Sequence, residues 1–427
     1  MSRFTQFLKK IIPKPFLNLI LPYYHYSLAY LADLWYKHPS KEIMVIGVTG
    51  TKGKSSVTEL MTRILEAEGH KVASLSTIQF KIGNDIERNL FKMTMPGRFF
   101  VQRFLRNAVK AGCTHAVVEI TSEGARQFRH RFLDLDALIF TNLTPEHIES
   151  HGSFEKYKKA KLTIAKQVEI GTKRPRYIVA NVDDEHGQDF LNFNVEYQLP
   201  YSLKDLSLYS LHRDSVSLVF GDTTIRVPMI GLFNVYNILS AITLARALGI
   251  SFLTIDKALR DIPKIAGRVE VFNSPKGSAK GVTAIVDYAH TTDSLEKLYQ
   301  AFPDVPKICV LGNTGGGRDS WKRPEMGAIA NRYCDHIILT NEDPYDENPY
   351  TIVNQMATGI TDKNKLEIIM DRRLAIRTAL QKAPQGSCVL VSGKGTDPYI
   401  MGPKGTKIPW SDAEVVQEEL ANLTAMK

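Results

Sequence analysis

Gly47-Val48-Thr49-Gly50-Thr51-Lys52-Gly53-Lys54-Ser55-Ser56 follows the apolar run Ile43–Ile46, and after it Val57, Leu60, Met61, Ile64 and Leu65 recur at helical spacing as far as Gly69. A buried strand, a glycine-rich loop and the N-terminus of an amphipathic helix are expected in that order. Such a loop turns its backbone N–H groups inward on phosphate oxygens, with the helix dipole favouring the anion. Lys54 adds a point charge near the outer phosphates, and the Ser55 hydroxyl is placed to ligate Mg²⁺. Gly50, Thr51, Gly53, Lys54, Ser55 and Ser56 are therefore the candidate nucleotide-binding residues.

The usual phosphate-loop pattern has a glycine where this chain has Val48, and here the glycines fall three apart, at 47, 50 and 53. The remainder of the composition is ordinary. With 427 residues, 44% apolar and 23% charged, two or three domains with substantial cores are expected rather than disorder. The net charge of +9 is spread thinly and, beyond the first residues, never forms a basic run interleaved with aromatics. Nucleic acid is not the expected partner; anionic small substrates and membrane surfaces fit the charge as well. Cys113, Cys309, Cys334 and Cys388 are far apart without a C-x-x-C pair, which points to reduced thiols in a cytoplasmic setting and to no zinc site.

The first 40 residues are a separate N-terminal segment. Phe4, Phe7, Leu8, Ile11 and Ile12 share one helical face beside Lys9 and Lys10, and Pro13 and Pro15 break the pattern. Residues 16–36 carry no Lys or Arg but many aromatics, among them Tyr23, Tyr24, Tyr26, Tyr30, Trp35 and Tyr36. Neither a cleaved signal peptide nor a full membrane span fits. Two readings remain, an amphipathic segment making peripheral contact with a membrane through residues 4–36, and a segment packed against the body of the protein.

Beyond residue 40, strand-like runs alternate with helical patterns: Ile43–Val48, His115–Ile120, Ala137–Thr141 and Tyr177–Ala180. This is an α/β pattern with a parallel sheet, a central P-loop ATPase domain over residues 41–265. An antiparallel insertion is expected around Val216–Val227, then a helix over Asn234–Leu248. A Rossmann-like C-terminal α/β domain, 266–427, follows with strands Thr283–Asp287, Ile308–Leu311, His336–Thr340 and Cys388–Ser392. Each of these runs into a polar or glycine-rich loop, and loops beyond strand carboxyl ends are where such sheets bind ligands.

Glu119 ends one such strand near the phosphate loop, where a Mg²⁺ ligand belongs. Thr141-Asn142-Leu143-Thr144-Pro145-Glu146-His147 closes the next, and Lys158-Lys159-Ala160-Lys161 follows on a helix. Together with Asn181-Val182-Asp183-Asp184, Gly231-Leu232-Phe233-Asn234, Gly267-Arg268-Val269-Glu270, Asp287-Tyr288-Ala289-His290, Lys322-Arg323-Pro324 and Gly393-Lys394-Gly395, these runs resemble, in register, the Mur ligases. These enzymes build the peptide of the bacterial cell-wall precursor with ATP, and the likeness is greatest to the MurE type, which adds the third residue.

The resemblance implies an ATP-dependent amide ligase of peptidoglycan precursor synthesis. It would use ATP and Mg²⁺ to join an amino acid to a muramyl-peptide-type acceptor through an acyl phosphate, in the cytoplasm or at the inner face of the membrane. By the same likeness Ser55, Glu119 and His147 would hold metal, and Lys161 would be carbamylated. Lys54, Lys161 and Arg268 would be catalytic, and Asn234, Asn237, Arg268 and Asp287 would reach the nucleotide. Thr94, Pro96, Ser122 and Arg129 would hold the acceptor peptide, and Asp343, Pro344 and Gly393 the amino acid.

Three departures qualify the likeness. About 40 residues precede the loop where the family has a uridine-nucleotide domain, so a lipid-linked or truncated acceptor is an alternative to a UDP-linked one. Glu342-Asp343-Pro344-Tyr345 replaces an Asp-Asn-Pro-Arg run whose arginine grips diaminopimelate, so an acidic pocket for a cationic side chain, through Asp343, Asp346 or Glu347, is a second expectation. Thr121-Ser122-Glu123 stands for Ser-Ser-His. A folylpolyglutamate-synthase-like ligase and a non-catalytic, membrane-associated nucleotide-binding protein are the alternatives; the subunit that amidates the lipid-linked precursor also lacks the uridine domain, but its zinc-binding cysteine cluster is missing from this sequence.

Overall fold

The computed structural model describes residues 14–146, 148–274, 281–317 and 319–425. Two compact units emerge, the first formed by the chain up to Leu143 with Glu155–Asp205 and Asn237–Ala258, the second by Thr144–Phe154, Leu206–Tyr236 and the chain from Leu259 onward.

The first unit is built on eight strands: β1 (Met44–Thr49), β2 (Val72–Leu75), β3 (Gln79–Ile82), β4 (Asp85–Arg88), β5 (His115–Glu119), β6 (Ala137–Phe140), β7 (Tyr177–Asn181) and β8 (Tyr197–Tyr201). They lie in the order β4-β3-β2-β5-β1-β6-β7-β8. From β2 to β8 every neighbouring pair is parallel, while β2–β3 and β3–β4 are antiparallel. The central strands read as unbroken apolar runs because helices cover both faces of a parallel sheet. Val48, a valine in place of the pattern's glycine, is fully buried and lets β1 continue to Thr49 before the loop begins.

Helix α1 (Lys14–Trp35) precedes the sheet, α2 (Lys54–Ala67) follows the loop, and α3 (Arg98–Lys110), α4 (Phe154–Glu169) and α5 (Leu232–Ala247) come next in chain order. α1 packs on α3 and buries Ala29, Ala32 and Asp33. Its rings meet the segment after β5: Tyr26 stands 5.2 Å from Phe132 and 6.0 Å from Phe128. The opposite face keeps Tyr23 72% and Trp35 77% exposed. Packing against the body is thus real, yet it leaves an aromatic stripe in water. Among the described residues, no helix is long and apolar enough to cross a membrane. The helical face expected from Phe4 to Ile12 lies outside the described residues.

The second unit holds an antiparallel sheet of β9 (Leu208–Leu211), β10 (Val216–Phe220) and β11 (Thr223–Val227). Its larger sheet comprises β12 (Glu270–Asn273), β13 (Thr283–Asp287), β14 (Lys307–Leu311), β15 (His336–Leu339), β16 (Leu366–Ile368) and β17 (Cys388–Ser392), ordered β12-β13-β17-β14-β15-β16. Only β12 runs antiparallel to its neighbour. Helices α6 (Thr292–Gln300), α7 (Lys322–Tyr333), α8 (Pro349–Ala357), α9 (Arg372–Lys382) and α10 (Asp412–Ala425) complete it. α6 starts from a reciprocal cap between Thr291 and Ser294.

The expectation of reduced, unpaired thiols is corrected for two cysteines. Cys309 of β14 and Cys334, which follows α7, are disulfide-bonded with Cα atoms 6.1 Å apart; Cys113 and Cys388 are free and buried. Separation along the chain misled, because the crossover through α7 returns the backbone to the start of β15, directly beside β14.

A fully buried ion pair joins α9 to α10. Arg372 donates from Nε and Nη2 to the two carboxylate oxygens of Asp412, at 2.8 and 2.7 Å, and from Nη2 to the Ser392 carbonyl at 2.9 Å. Asp412 also accepts from the Trp410 indole at 2.7 Å. Asp412→Ala would strand the guanidinium in the core, and a loss of about 3–5 kcal/mol in the stability of this unit is expected. Denaturant unfolding followed by fluorescence checks it.

Candidate functional site

The phosphate loop bends where only glycine fits. Gly50 has φ +146° and a Cβ there would come within 1.9 Å of the Thr141 hydroxyl oxygen; Gly53 has φ +84° and a Cβ would meet the Asn237 side-chain oxygen at 2.2 Å. Backbone and side chains at the end of β6 then pin the loop. Thr51 N–H donates to the Asn142 carbonyl at 2.8 Å, Lys52 N–H to the Asn142 side chain at 2.9 Å, and the Thr141 hydroxyl to the Lys52 carbonyl at 2.6 Å.

Two lysines converge on this loop. Lys54 Nζ donates to the carbonyls of Gly50, at 3.1 Å, and Thr51, at 2.8 Å. Lys161, on α4 and 1% exposed, donates to the same Gly50 carbonyl at 2.6 Å and stands 5.0 Å from the Tyr157 ring centroid. The Tyr157 hydroxyl in turn meets the Thr51 hydroxyl at 2.9 Å. A helix that begins more than one hundred residues after the loop is thereby locked onto it.

Ser55 and Glu119, both expected to hold metal, are brought together. The Ser55 hydroxyl donates to Glu119 Oε2 at 3.0 Å, and Glu119 is 2% exposed. Thr77, absent from the sequence reading, holds both oxygens: its N–H donates to Oε2 at 2.9 Å and its hydroxyl to Oε1 at 3.0 Å. The Thr77 hydroxyl also meets that of Thr94 at 2.7 Å. A continuous polar chain therefore runs from Ser55 through Glu119 and Thr77 to Thr94, from the phosphate loop to the expected acceptor loop.

That acceptor loop is braced by Arg129, whose Nη1 donates to the Met95 carbonyl beside Pro96, while Ser122 is buried behind the N-cap of Thr121. His147 lies outside the described residues. Mg²⁺ takes one or two protein oxygens and completes its shell from phosphates and water, and Ser55 and Glu119 offer such oxygens. A serine hydroxyl and a buried carboxylate beside a glycine cradle fit ATP phosphates and their Mg²⁺.

In the second unit, Asp287 accepts from Val269 N–H at 2.8 Å and Ala289 N–H at 2.7 Å, tying the β13 end to the bend before β12, where the Arg268 guanidinium lies 4.8 Å from the Tyr288 ring centroid. Asn234 donates to the Ile230 carbonyl at 2.8 Å. The acidic pocket looks different from its sequence. Asp343 is 3% exposed and pairs with buried Lys394 at 2.8 Å, Asp346 caps the Lys404 N–H at 2.6 Å, and Glu347 pairs with Arg323 at 2.6 Å. Pro344 packs on Gly315, whose Cβ would come 2.3 Å from the Pro344 carbonyl oxygen.

Glu342 is the exception. Its Oε1 accepts from the Thr314 hydroxyl at 3.0 Å, its Oε2 is buried without a hydrogen-bond partner among the described residues, and it faces Gly393, where a Cβ would sit 2.2 Å away. Burial pushes its carboxyl above the usual carboxylate range.

Two comparisons decide the family. Residues 48–245 match the Mur ligase middle domain, and residues 267–395 match the domain described as Mur ligase, glutamate ligase domain. A UDP-N-acetylmuramoyl-L-alanyl-D-glutamate–2,6-diaminopimelate ligase from Bacillus cereus is 33% identical over 411 residues, covering 92% of this chain and 81% of that protein. The chain belongs to the Mur ligase family. As a Mur ligase it is an ATP-dependent, amide-forming enzyme of a family in which Mg²⁺ is general. A solved diaminopimelate ligase structure is 26% identical over 89% of this chain and 78% of its own, with a TM-score of 0.60. The folylpolyglutamate synthase of Mycobacterium tuberculosis, solved with ADP and AMPPCP, shares the fold at 13% identity over 87% of this chain and 93% of its own, with a TM-score of 0.69.

In this Mur ligase the raised Glu342 carboxyl carries a stability signature. A carboxyl whose folded value exceeds its unfolded value supports the fold at low pH and opposes it as pH rises through the folded value. Glu342→Gln keeps an acceptor for Thr314 and removes the buried charge. The variant is expected to unfold at a higher temperature than the wild type at about pH 8, by on the order of 1 kcal/mol, with the gap closing below the ordinary glutamate range. Thermal unfolding across pH tests it.

Proposed function

We propose that this enzyme adds an amino acid to a muramyl-peptide-type acceptor carboxylate in peptidoglycan precursor synthesis, at the cytoplasmic face of the membrane. The polar chain from Ser55 to Thr94 carries the reading, because it ties the group that would hold phosphate-bound metal to the loop that would hold the acceptor.

In the first step an acceptor carboxylate oxygen attacks the γ-phosphorus of ATP, the bond to the bridging oxygen breaks, and ADP leaves. In the second the amine nitrogen attacks the acyl carbon, loses a proton, and the carbon–oxygen bond to phosphate breaks. Phosphoryl transfer asks chiefly for positioning and charge stabilisation. Lys54 and the loop N–H groups of Gly50 to Ser56 would bear the phosphate charge, and the family likeness gives Arg268 the same role. Asn234, Asn237 and Asp287 would orient the nucleoside. Mg²⁺, held by Ser55 and Glu119, would supply Lewis-acid stabilisation of the transferring phosphoryl group. Lys161 would act as its carbamate, turning a buried cation into an anionic oxygen donor beside the loop. Thr94, Pro96, Ser122 and Arg129 would seat the peptide.

The incoming amino acid would bind by Gly393, Pro344 and Glu342. Asp343, already committed to Lys394, shapes that pocket by holding the buried lysine. The exposed aromatic face of α1 would rest peripherally on the bilayer, with its rings at the headgroup level. Folylpolyglutamate synthase is a likeness of fold alone.

Lys54→Ala and Lys161→Ala are each expected to lower kcat about 100- to 1,000-fold in an assay of phosphate release that requires both acceptor and amine. Protein equilibrated with ¹³C-bicarbonate should give a carbamate carbon signal that Lys161→Ala abolishes. Phosphate release indifferent to the amine, or a carbamate signal surviving the substitution, contradicts these roles.

A further inference from the structure

Next to the expected acceptor loop, arginines gather where α1 meets the segment after β5: Tyr26 of α1 stands 6.0 Å from the Phe128 ring and 5.9 Å from the Arg131 guanidinium. Arg98, at the start of α3, donates from Nη2 to the Gln127 carbonyl at 2.6 Å. Arg129 donates to the Met95 carbonyl and, at 2.8 Å, to the Gln127 side chain. Both guanidinia are thus met by neutral acceptors. Arg126 reaches Glu123 at 3.0 Å, and Glu123 is also engaged by the Gln127 amide at 2.6 Å. His25 of α1, next to the Tyr26 that meets Phe128, has its pKa lowered to about 4 by burial and then by the charges of Arg98, Arg129 and Arg126, with Glu123 opposing them.

Three buried nitrogens here have no hydrogen-bond partner among the described residues: Nε of Arg98, Nε of Arg129 and Nδ1 of His25. Burial and the neighbouring Arg129 guanidinium hold Arg98 down at about 10, and burial lowers Arg129 as well. Among the described residues, Arg98, Arg126 and Arg129 bring positive charge here beside Glu123. Desolvated cations with unused N–H groups are costly unless an anion completes them.

We propose that His25, Arg98, Arg126 and Arg129 form a phosphate subsite that takes a phosphate or diphosphate carried on the acceptor, an assignment that rests on the ligase reading above. A carboxylate is planar and singly charged. A phosphate ester is tetrahedral, near doubly charged, and offers several oxygens to donors arriving from different directions, as the two Nε–H groups and the imidazole do. His25 would donate from Nδ1 as the neutral ring. The N-terminal helix is then part of acceptor recognition.

The test is calorimetric binding to the full chain with the nucleotide loop filled by a non-hydrolysable ATP analogue. The probes are muramyl dipeptide, its 1-phosphate, the UDP-linked form and a polyprenyl-diphosphate-linked form in detergent. At least one phosphorylated probe is expected to bind about tenfold or more tightly than muramyl dipeptide. Which of them gains identifies whether the phosphate comes from a nucleotide, a lipid or a simple ester. In Arg98→Gln that ratio should fall towards one, and in Arg98→Lys, which keeps the charge but not the planar fork, it should fall part-way. Equal affinities for all probes, or a ratio unmoved by Arg98→Gln in a variant with a native unfolding transition, overturns the subsite. Should muramyl dipeptide and its phosphorylated forms bind but no phosphate be released with any amine, the ligase reading fails and the subsite stands.

Discussion

The pairing of β1 with β5 places Val48 opposite Glu119, and the site of the first unit follows from that register. A parallel neighbour in this alignment delivers a carboxylate to the side of the phosphate loop, within 3.0 Å of the Ser55 hydroxyl. A one-residue slip would turn the carboxylate to the opposite face of the sheet. Val117 and Val118, fully buried on the two faces of the sheet, anchor the strand that carries this charged group. Thr77 and Thr94 then extend that fixed point towards the loop of Met95 and Pro96.

Much of this was legible in the residues because its determinants are local. A strand buried on both faces is written as an apolar run, and a phosphate loop as glycine spacing with Lys54 and Ser55; both stand within a residue of where the sequence puts them. The family runs carried the reading to Lys161, which packs against the loop. What was not legible is long-range. Thr77 reads as one hydroxyl among many until β2 and β5 bring it to Glu119. Cys309 and Cys334 look unrelated until a crossover aligns them. His25, Arg98 and Arg129 come from three segments with no shared motif, and only tertiary packing reveals their proximity.

The acidic loop after β15 shows the opposite error. Asp343, Asp346 and Glu347 look like solvated charges, yet each is committed to a partner within the second unit. Composition gives the charge of a loop and says nothing of its internal use. Buried Lys394 requires a counter-charge, which Asp343 supplies, and the loop chemistry is fixed by that demand. Glu342, which keeps one oxygen unengaged among the described residues, is therefore the more informative acid, though nothing in its sequence setting distinguishes it.

The contact between Gly53 and Asn237 reaches into the history of the chain. Position 53 is closed to other residues twice over, by a left-handed backbone and by the carboxamide that fills the space beyond its α-carbon. Drift at either site is consequently filtered by the other. A larger residue at 53 would need a shorter one at 237 and would still carry a strained backbone, so loop and helix constrain one another at this point.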